Sequence, residues 1–331
     1  MKPFNHVNVK TVDEAIALLK EYQGRAKLIA GGTDLLGILK SNILPESPKV
    51  IINIKTIPGL DYIREDKKGL KIGTLTRLAD IADSPIVKAK YRVLSQAAGA
   101  VATTEIRNMG TIGGNLCQDV RCLYYRYPHQ IGGRFMCWRK GNRKCMAVQG
   151  DNRYHAILEG KKCVAVCPSD TAVALTALNA TIKVVGSNGD RTIPVKDFYN
   201  PLGNDLNIEE IVTEIQVSKL PEGTKQEFLK FSLRKPIDFS IVSVASVITI
   251  KAGICEDISI ALGAVAPAPI RATTAEQVIK GEAIDETIAK SAAEASVIGA
   301  KPLSMNEYKI EITKTLVKRA ILSDNSENTS R

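Results

Sequence analysis

The chain has 331 residues, 44% hydrophobic and 24% charged, a composition close to that of folded globular proteins and unlike disordered, collagen-like or membrane-spanning ones. Its length favours two or three domains over one. With 45 Lys and Arg against 35 Asp and Glu the formal charge is +10, which points to an acidic partner, nucleic acid or a membrane surface until that charge is located.

The opening MKPFNHVNVKTVDEAIALL has neither the continuous apolar region nor the small-residue cleavage site of a secretory signal, and no later apolar run is long enough to span a bilayer. A cytoplasmic location is therefore expected. Thr11 followed by Glu14 is a capping box, and Ala15, Ile16, Leu18 and Leu19 give the following helix an apolar stripe. KLIA (27–30) reads as a short buried strand, broken by Gly31-Gly32, after which Thr33-Asp34-Leu35-Leu36 opens a turn or helix. KVIINI (49–54) predicts another strand, and DYIRED followed by GLKIGT a hairpin. Helical patterns at Leu78–Ala82 and Tyr91–Ala102 lead to a second glycine-rich stretch, TIGGNLC (111–117).

From Gln118 to Lys162 no sustained period survives, although the only Trp and many of the Tyr residues fall there. Such composition suggests an irregular insertion ordered by something other than a hydrophobic core. Ser169 then caps the helix DTAVALTALNA, TIKVVGSNGDRTIPV folds as a hairpin about Ser187–Asp190, and Ile211–Val217 reads as a strand. Pro221-Glu222-Gly223 marks a linker. Beyond it KFSLRK, FSIVSVASVITI and ISIALGAV give three strand-like runs, helices follow at Thr274–Ile279, Ile284–Val297 and Tyr308–Ile321, and the tail is polar and frayed.

Both glycine turns pair glycines beside a threonine. Glycine lets a backbone approach a pyrophosphate closely, while successive N–H groups and the hydroxyl bind its oxygens. Neither turn is a Rossmann fingerprint or a Walker loop. Taken in order, AGGTDLL, TIGGNLC, the PSD at 168–170 and LRKPIDFSIVSVA (233–245) closely resemble the FAD-binding medium subunits of the molybdenum hydroxylase (xanthine dehydrogenase and CO dehydrogenase) family, over nearly the whole chain. The resemblance implies an α+β protein. Residues 1–220 would form a two-part FAD-binding domain of the vanillyl-alcohol-oxidase (PCMH) type, with lobes at about 1–55 and 56–220 and an insertion at about 117–167. Residues 221–325 would form a flavoprotein C-terminal domain with a three-stranded antiparallel sheet and helices, and 326–331 the frayed tail. It also implies that Leu28, Ile29, Ala30, Gly31, Gly32, Thr33, Asp34, Leu35 and Leu36, with Thr111, Gly113, Gly114 and Asn115, hold the FAD diphosphate. Asp170 would lie near the adenosine or ribityl part, Lys235 would approach the isoalloxazine, and Ile211 would line the same pocket.

Six of the seven cysteines lie between Cys117 and Cys167, a clustering that points to a metal site rather than disulfides. Zinc would draw on Cys117-x4-Cys122 and Cys163-x3-Cys167, leaving Cys137 and Cys145 unexplained. RCLYYR, CWRKGNRKC, NRYHAI and CVAVCPSD resemble instead the medium subunits that carry an extra 4Fe-4S cluster, as in 4-hydroxybenzoyl-CoA reductase and bacterial aldehyde oxidoreductases. That resemblance implies Cys122, Cys137, Cys145 and Cys163 as ligands, with Cys167 or Cys117 able to substitute for Cys163. Cys255 reads as a buried small apolar residue, and His129 and His155 as hydrogen-bonded or solvent-facing rather than ligands.

The insertion also gathers charge. Arg121, Arg126, Arg134, Arg139, Lys140, Arg143, Lys144, Arg153, Lys161 and Lys162 face only Asp119, Asp151 and Glu159 between residues 118 and 162. Aromatics among cations also occur in nucleic-acid modules, but the flanking flavin motifs account for their location. By resemblance the chain is an oxidoreductase subunit with FAD and a 4Fe-4S cluster and no catalytic residue of its own. A large molybdenum-cofactor subunit and a small 2Fe-2S subunit would complete a heterotrimer able to dimerise. The surplus charge would dock an acidic external carrier, ferredoxin or flavodoxin, with NAD as another acceptor. The competing expectations are a zinc-stabilised flavoprotein, either a free-standing oxidase or a nucleotide-binding module without redox chemistry.

Overall fold

The computed structural model describes residues 1–129, 135–235 and 237–323; Arg134 and the tail at 326–331 lie outside them. β1 (Asn5–Asn8), α1 (Val12–Tyr22), β2 (Ala26–Ile29), α2 (Leu35–Lys40) and β3 (Val50–Asn53) form the first lobe. Thr11 caps α1, its hydroxyl accepting from the Glu14 amide at 3.1 Å, while the Glu14 carboxylate turns back to the Lys10 amide at 2.6 Å. The sheet is wholly parallel, in the order β1-β3-β2. Ala15, Ile16 and Leu19 of α1 share a core with Val50 and Ile52 of β3. β2 thus ends at the sheet's carboxyl edge, where ligands collect in parallel sheets, and delivers the chain into Ala30-Gly31-Gly32.

The second lobe opens with the hairpin β4 (Ile63–Asp66) and β5 (Gly69–Gly73). Five short helices follow: α3 (Leu78–Asp83), α4 (Pro85–Lys90), α5 (Arg92–Gly99), α6 (Thr104–Met109) and α7 (Ile112–Leu116). α4 and α6 fall outside the expected elements. Ser84 before Pro85 is nevertheless an N-cap with a first-turn proline, a sufficient start signal for α4. Among the described residues of 118–162 the helical structure is one turn of helix, α8 (Leu123–Arg126), and a 3-10 turn at Trp138–Lys140, consistent with the missing periodicity.

Regular structure resumes with α9 (Asp170–Ala177), β6 (Thr181–Gly186), β7 (Gly189–Pro194), β8 (Tyr199–Asn200), β9 (Gly203–Asn204) and β10 (Glu210–Ser218). β10 closes an antiparallel sheet in the order β4-β5-β10-β6-β7. All eight residues of α9 are buried, as a helix apolar on every side must be. The helix packs between α5 and the last sheet, which β11 (Lys225–Phe231), β12 (Val242–Lys251), β13 (Ile254–Gly263) and β14 (Ile270–Arg271) form in sequential antiparallel order. These are the three long strands expected plus a two-residue fourth. KFSLRK does not continue as strand: β11 stops at Phe231, and Arg234 folds back onto Asp238 with two contacts of 2.7 and 3.1 Å. α10 (Thr273–Ile279), α11 (Glu286–Ala295) and α12 (Lys309–Leu322) cover the sheet's other face.

One core runs across the linker. Phe228, Ala245, Val247 and Ala261 of the last sheet cluster with Leu94, Val173 and Leu175 of the second lobe. The returning arm of the insertion is stitched to the same sheet: the Ile157 and Leu158 amides both donate to the Val265 carbonyl, at 2.9 and 3.0 Å, and the Lys301 amide donates to Ile157 O at 2.7 Å. Lys309, fully buried at the start of α12, donates through Nζ to the carbonyls of His155, at 3.0 Å, and Ala264.

Burial pushes the Lys309 ammonium down to about 7, whereas an unfolded lysine titrates near ~10.4. The unfolded chain therefore holds the extra proton between those values, so stability should rise with pH across that window; below pH ~7 the cost of burying the charge is fully present. Lys309→Met should abolish this slope. The unfolding midpoint of the wild type should climb relative to the variant from pH 7 to 10, and parallel profiles would contradict the assignment.

Candidate functional site

Two glycine turns meet at the carboxyl edge of β2. A Cβ at Gly31 would lie 2.0 Å from the Met109 carbonyl oxygen, and one at Gly113 would lie 1.9 Å from Thr74 Oγ1. Gly32 adopts the left-handed conformation, with φ +71°. Only glycine permits either approach. The backbone of the second turn is fixed by the Ile112 amide on Thr76 O at 2.9 Å and the Gly113 amide on Thr74 O at 3.0 Å. The Thr111 hydroxyl accepts from the Gly114 amide at 3.2 Å.

Between the turns lies a cleft of about 370 Å³, lined by Leu28 through Leu35, Thr111 and Gly114. Thr111, Gly114 and Cys117 also line a second space of about 380 Å³, together with Gly113 and Ile211. On the other side Cys167 and Pro168 form a wall shared with a cleft of about 510 Å³ between the insertion and the C-terminal sheet, where Leu233, Phe239 and Ile241 are exposed to the interior. Volumes of this order suit a cofactor-sized ligand.

The remaining expected residues lie elsewhere. Leu36 is exposed one residue beyond the cleft lining. Asn115 is buried, its Oδ1 accepting from the hydroxyls of Ser169 and Thr171, both at 2.6 Å. Asp170 is buried with both oxygens engaged across the linker, one by Lys230 Nζ at 2.8 Å and the other by the Ser240 hydroxyl at 2.6 Å. Lys235 is exposed on the 233–239 loop, whose neighbours Leu233, Arg234 and Phe239 line the third cleft.

Asp34 ties the first turn to the root of the insertion. Its Oδ1 accepts from Arg121 at 2.7 Å and Arg126 at 2.6 Å, and its Oδ2 from the Asp119 amide at 2.8 Å. Burial pulls the Arg121 guanidinium down to about 10 while Asp34 acts the other way, and its planar group stacks 4.7 Å from the Phe239 ring centroid. Asp119 in turn receives Tyr125 OH, and Arg139 at 3.3 Å; Arg139 also donates to Leu202 O at 3.1 Å. Arg139, Tyr199 and the β8–β9 hairpin all line the first cleft. The sequence reading overlooked them; the one available signal was the glycine-asparagine pair 203–204 after an aromatic.

The insertion turns four cysteines inward. Cys122, Cys137, Cys145 and Cys163 line one small cavity with His155, beneath Tyr125 and Trp138. Cys117 and Cys167 line the first cleft instead, so the two pairs that zinc would need are divided between different cavities. Among the described residues no group of three or more His, Cys, Asp or Glu side chains converges on a single ion. Burial pushes the Cys122 thiol up to about 11, with Cys163 and Cys137 adding to it, and burial likewise raises Cys137. The space between the side chains is about 10 Å³, enough for one water.

His129 is exposed as expected, and Cys255 is buried. His155 is buried, with Nε2 3.3 Å from Cys122 Sγ, and burial and the Lys309 charge hold it below the usual histidine value. Part of the concentrated charge is internal: Arg121 and Arg126 serve Asp34, Arg139 serves Asp119, and Lys140 is buried, whereas Arg153 pairs with Asp151 at 2.6 Å on the surface. Arg143, Lys144, Lys161 and Lys162 remain at the surface. Among the described residues no helix is long and apolar enough to cross a membrane.

Comparison with known proteins agrees with this architecture. Residues 2–220 match the family described as the FAD binding domain in molybdopterin dehydrogenase, and 227–323 the CO dehydrogenase flavoprotein C-terminal domain. The aldehyde oxidoreductase FAD-binding subunit PaoB of Escherichia coli is 35% identical, covering 95% of this chain and 96% of that one. The carbon monoxide dehydrogenase medium chain of Hydrogenophaga pseudoflava is 29% identical, with 96% of each covered. The solved carbon monoxide dehydrogenase from the same organism superposes with a TM-score of 0.77 over 97% of both chains, at 29% identity. The chain therefore belongs to the family of FAD-binding medium subunits of the molybdenum hydroxylases.

Proposed function

We propose that this chain is the FAD and 4Fe-4S electron-transfer subunit of a heteromeric molybdenum-cofactor oxidoreductase, exchanging electrons between the 2Fe-2S clusters of a small partner subunit and an external carrier. The observation that carries the reading is a continuous wall. Cys122 borders both the cysteine cavity and the interdomain cleft, and Cys167-Pro168 borders both that cleft and the space between the glycine turns.

In this reading Leu28 through Leu35, Thr111 and Gly114 bind the FAD diphosphate through backbone N–H groups. A carboxylate beside a diphosphate would repel it, and Arg121 and Arg126 cancel that repulsion at Asp34. The ring end of the cofactor extends past Pro168, where Leu233, Phe239 and Ile241 exclude water. Asp170 holds Ser240, which lines that cleft, and Lys235 would approach the ring from the exposed loop that carries Leu233 and Arg234. FAD, when bound, exchanges electrons in pairs or singly, and a cubane one at a time, so no protein acid or base is required.

The donor types suit an iron–sulfur cluster: four thiols line one cavity together with Lys162, and Lys140 is buried against the Tyr125 ring that borders it. Ligation would expel the thiol protons and part the side chains, which an irregular loop accommodates with little loss of secondary structure.

The two sites should fail separately. The anaerobically purified chain should carry FAD with about four iron and four sulfide. Gly31→Ala should weaken FAD retention about tenfold or more, overpacking of this kind costing ~1–3 kcal/mol, and leave the iron in place. Cys145→Ser should do the reverse. Zinc without sulfide in the wild type would overturn the cluster reading.

An acidic carrier such as ferredoxin would dock on Arg143, Lys144, Lys161 and Lys162, four exposed cations of the insertion for which no ion pair is seen among the described residues. Reversing all four to Glu should slow ferredoxin reduction roughly tenfold at low salt and flatten its salt dependence. An unchanged, salt-insensitive rate would remove this docking face.

A further inference from the structure

His155 is the one histidine that the fold brings to the cysteine cavity, and its surroundings are built around it. Its backbone is held on three sides: the amide donates to Asn152 O at 3.0 Å, and the carbonyl accepts from Asn306 Nδ2 at 3.1 Å and Lys309 Nζ at 3.0 Å. The side chain, 4% exposed, has no freedom to leave. Nε2 lies 3.3 Å from Cys122 Sγ, whereas Nδ1 is buried without a hydrogen-bond partner among the described residues. A neutral imidazole carries one proton, and the nitrogen that keeps it is set by the available acceptor. A thiol at Cys122 could donate or accept across this contact, but a ligating thiolate can only accept, so Nε2 would then be the donor.

We propose that His155 is a positioning residue of the cluster, donating an Nε2–H···S hydrogen bond to the Cys122 thiolate and so raising the cluster's reduction potential. The inference rests on the cluster reading above. Ligand thiolates carry much of a cluster's negative charge, and a hydrogen bond to one of them favours the more negative, reduced form. Through its carbonyl the same histidine is anchored to Asn306 and Lys309 of the C-terminal domain, so that domain sets the distance of the donor from the sulfur.

The test is an EPR-monitored redox titration of the full-length, FAD-loaded chain purified anaerobically, as wild type, His155→Leu and His155→Gln. The leucine variant should keep wild-type iron, sulfide and FAD but titrate at a lower midpoint potential, and glutamine, which retains an N–H donor, should recover part of the shift. Equal potentials in the wild type and a fully iron-loaded leucine variant would overturn the proposal. Loss of iron from both variants would overturn it as well, assigning His155 to ligation or folding. A wild type lacking iron and sulfide would instead refute the cluster reading itself, and this inference with it.

Discussion

The arrangement depends on one carboxylate. Asp34 closes the first glycine turn and at the same time accepts from Arg121, Arg126 and the Asp119 amide, fixing the segment that bears Cys122 beside the turn. The pairs are largely buried, so losing the acid would strand two cations, a change that typically costs ~3–5 kcal/mol. Every later feature of the site follows from this junction. Asp119 passes the constraint to Tyr125 and Arg139, and Arg139 to the β8–β9 hairpin that closes the first cleft. The cleft between the glycine turns and the cysteine cavity are thereby built as neighbours, with Asp34, Arg121, Asp119 and Arg139 joining them.

A second buried pair does the corresponding work across the linker. Asp170 opens the fully buried helix α9 and binds Lys230 and Ser240 of the C-terminal domain. The shared apolar core joins the same two parts of the chain. Lys309 and Asn306 then grip the returning arm of the insertion by its backbone. An insertion whose described residues hold one helical turn and one 3-10 turn is thus ordered at its root by ion pairs and at its return by carbonyl contacts.

Much of this was legible in the sequence because the chemistry there has few alternatives. Paired glycines signal close approach, and at Gly31 and Gly113 the close neighbours are Met109 O and Thr74 Oγ1 of the protein itself. Capping residues such as Thr11 and Ser169 mark helix starts by local geometry alone. Contacts between distant segments leave no such trace. Asp170 looked like a residue near the ligand, yet its partners lie 60 and 70 positions away. The surplus of cations in the insertion looked like a surface, and part of it proves to be internal, because the one acid that neutralises Arg121 and Arg126, Asp34, belongs to another lobe. Arg139 and Tyr199 entered the cleft unannounced for the same reason.

The central claim is that the cavity enclosed by Cys122, Cys137, Cys145 and Cys163 holds an iron–sulfur cluster next to the flavin. Anomalous diffraction from crystals of the anaerobically purified protein, recorded on both sides of the iron absorption edge, tests it most directly. The account predicts an iron peak among those four sulfurs, in contact with Cys122 and close to His155. A cavity without an iron peak, or a zinc peak bound through Cys117 and Cys167, would contradict it.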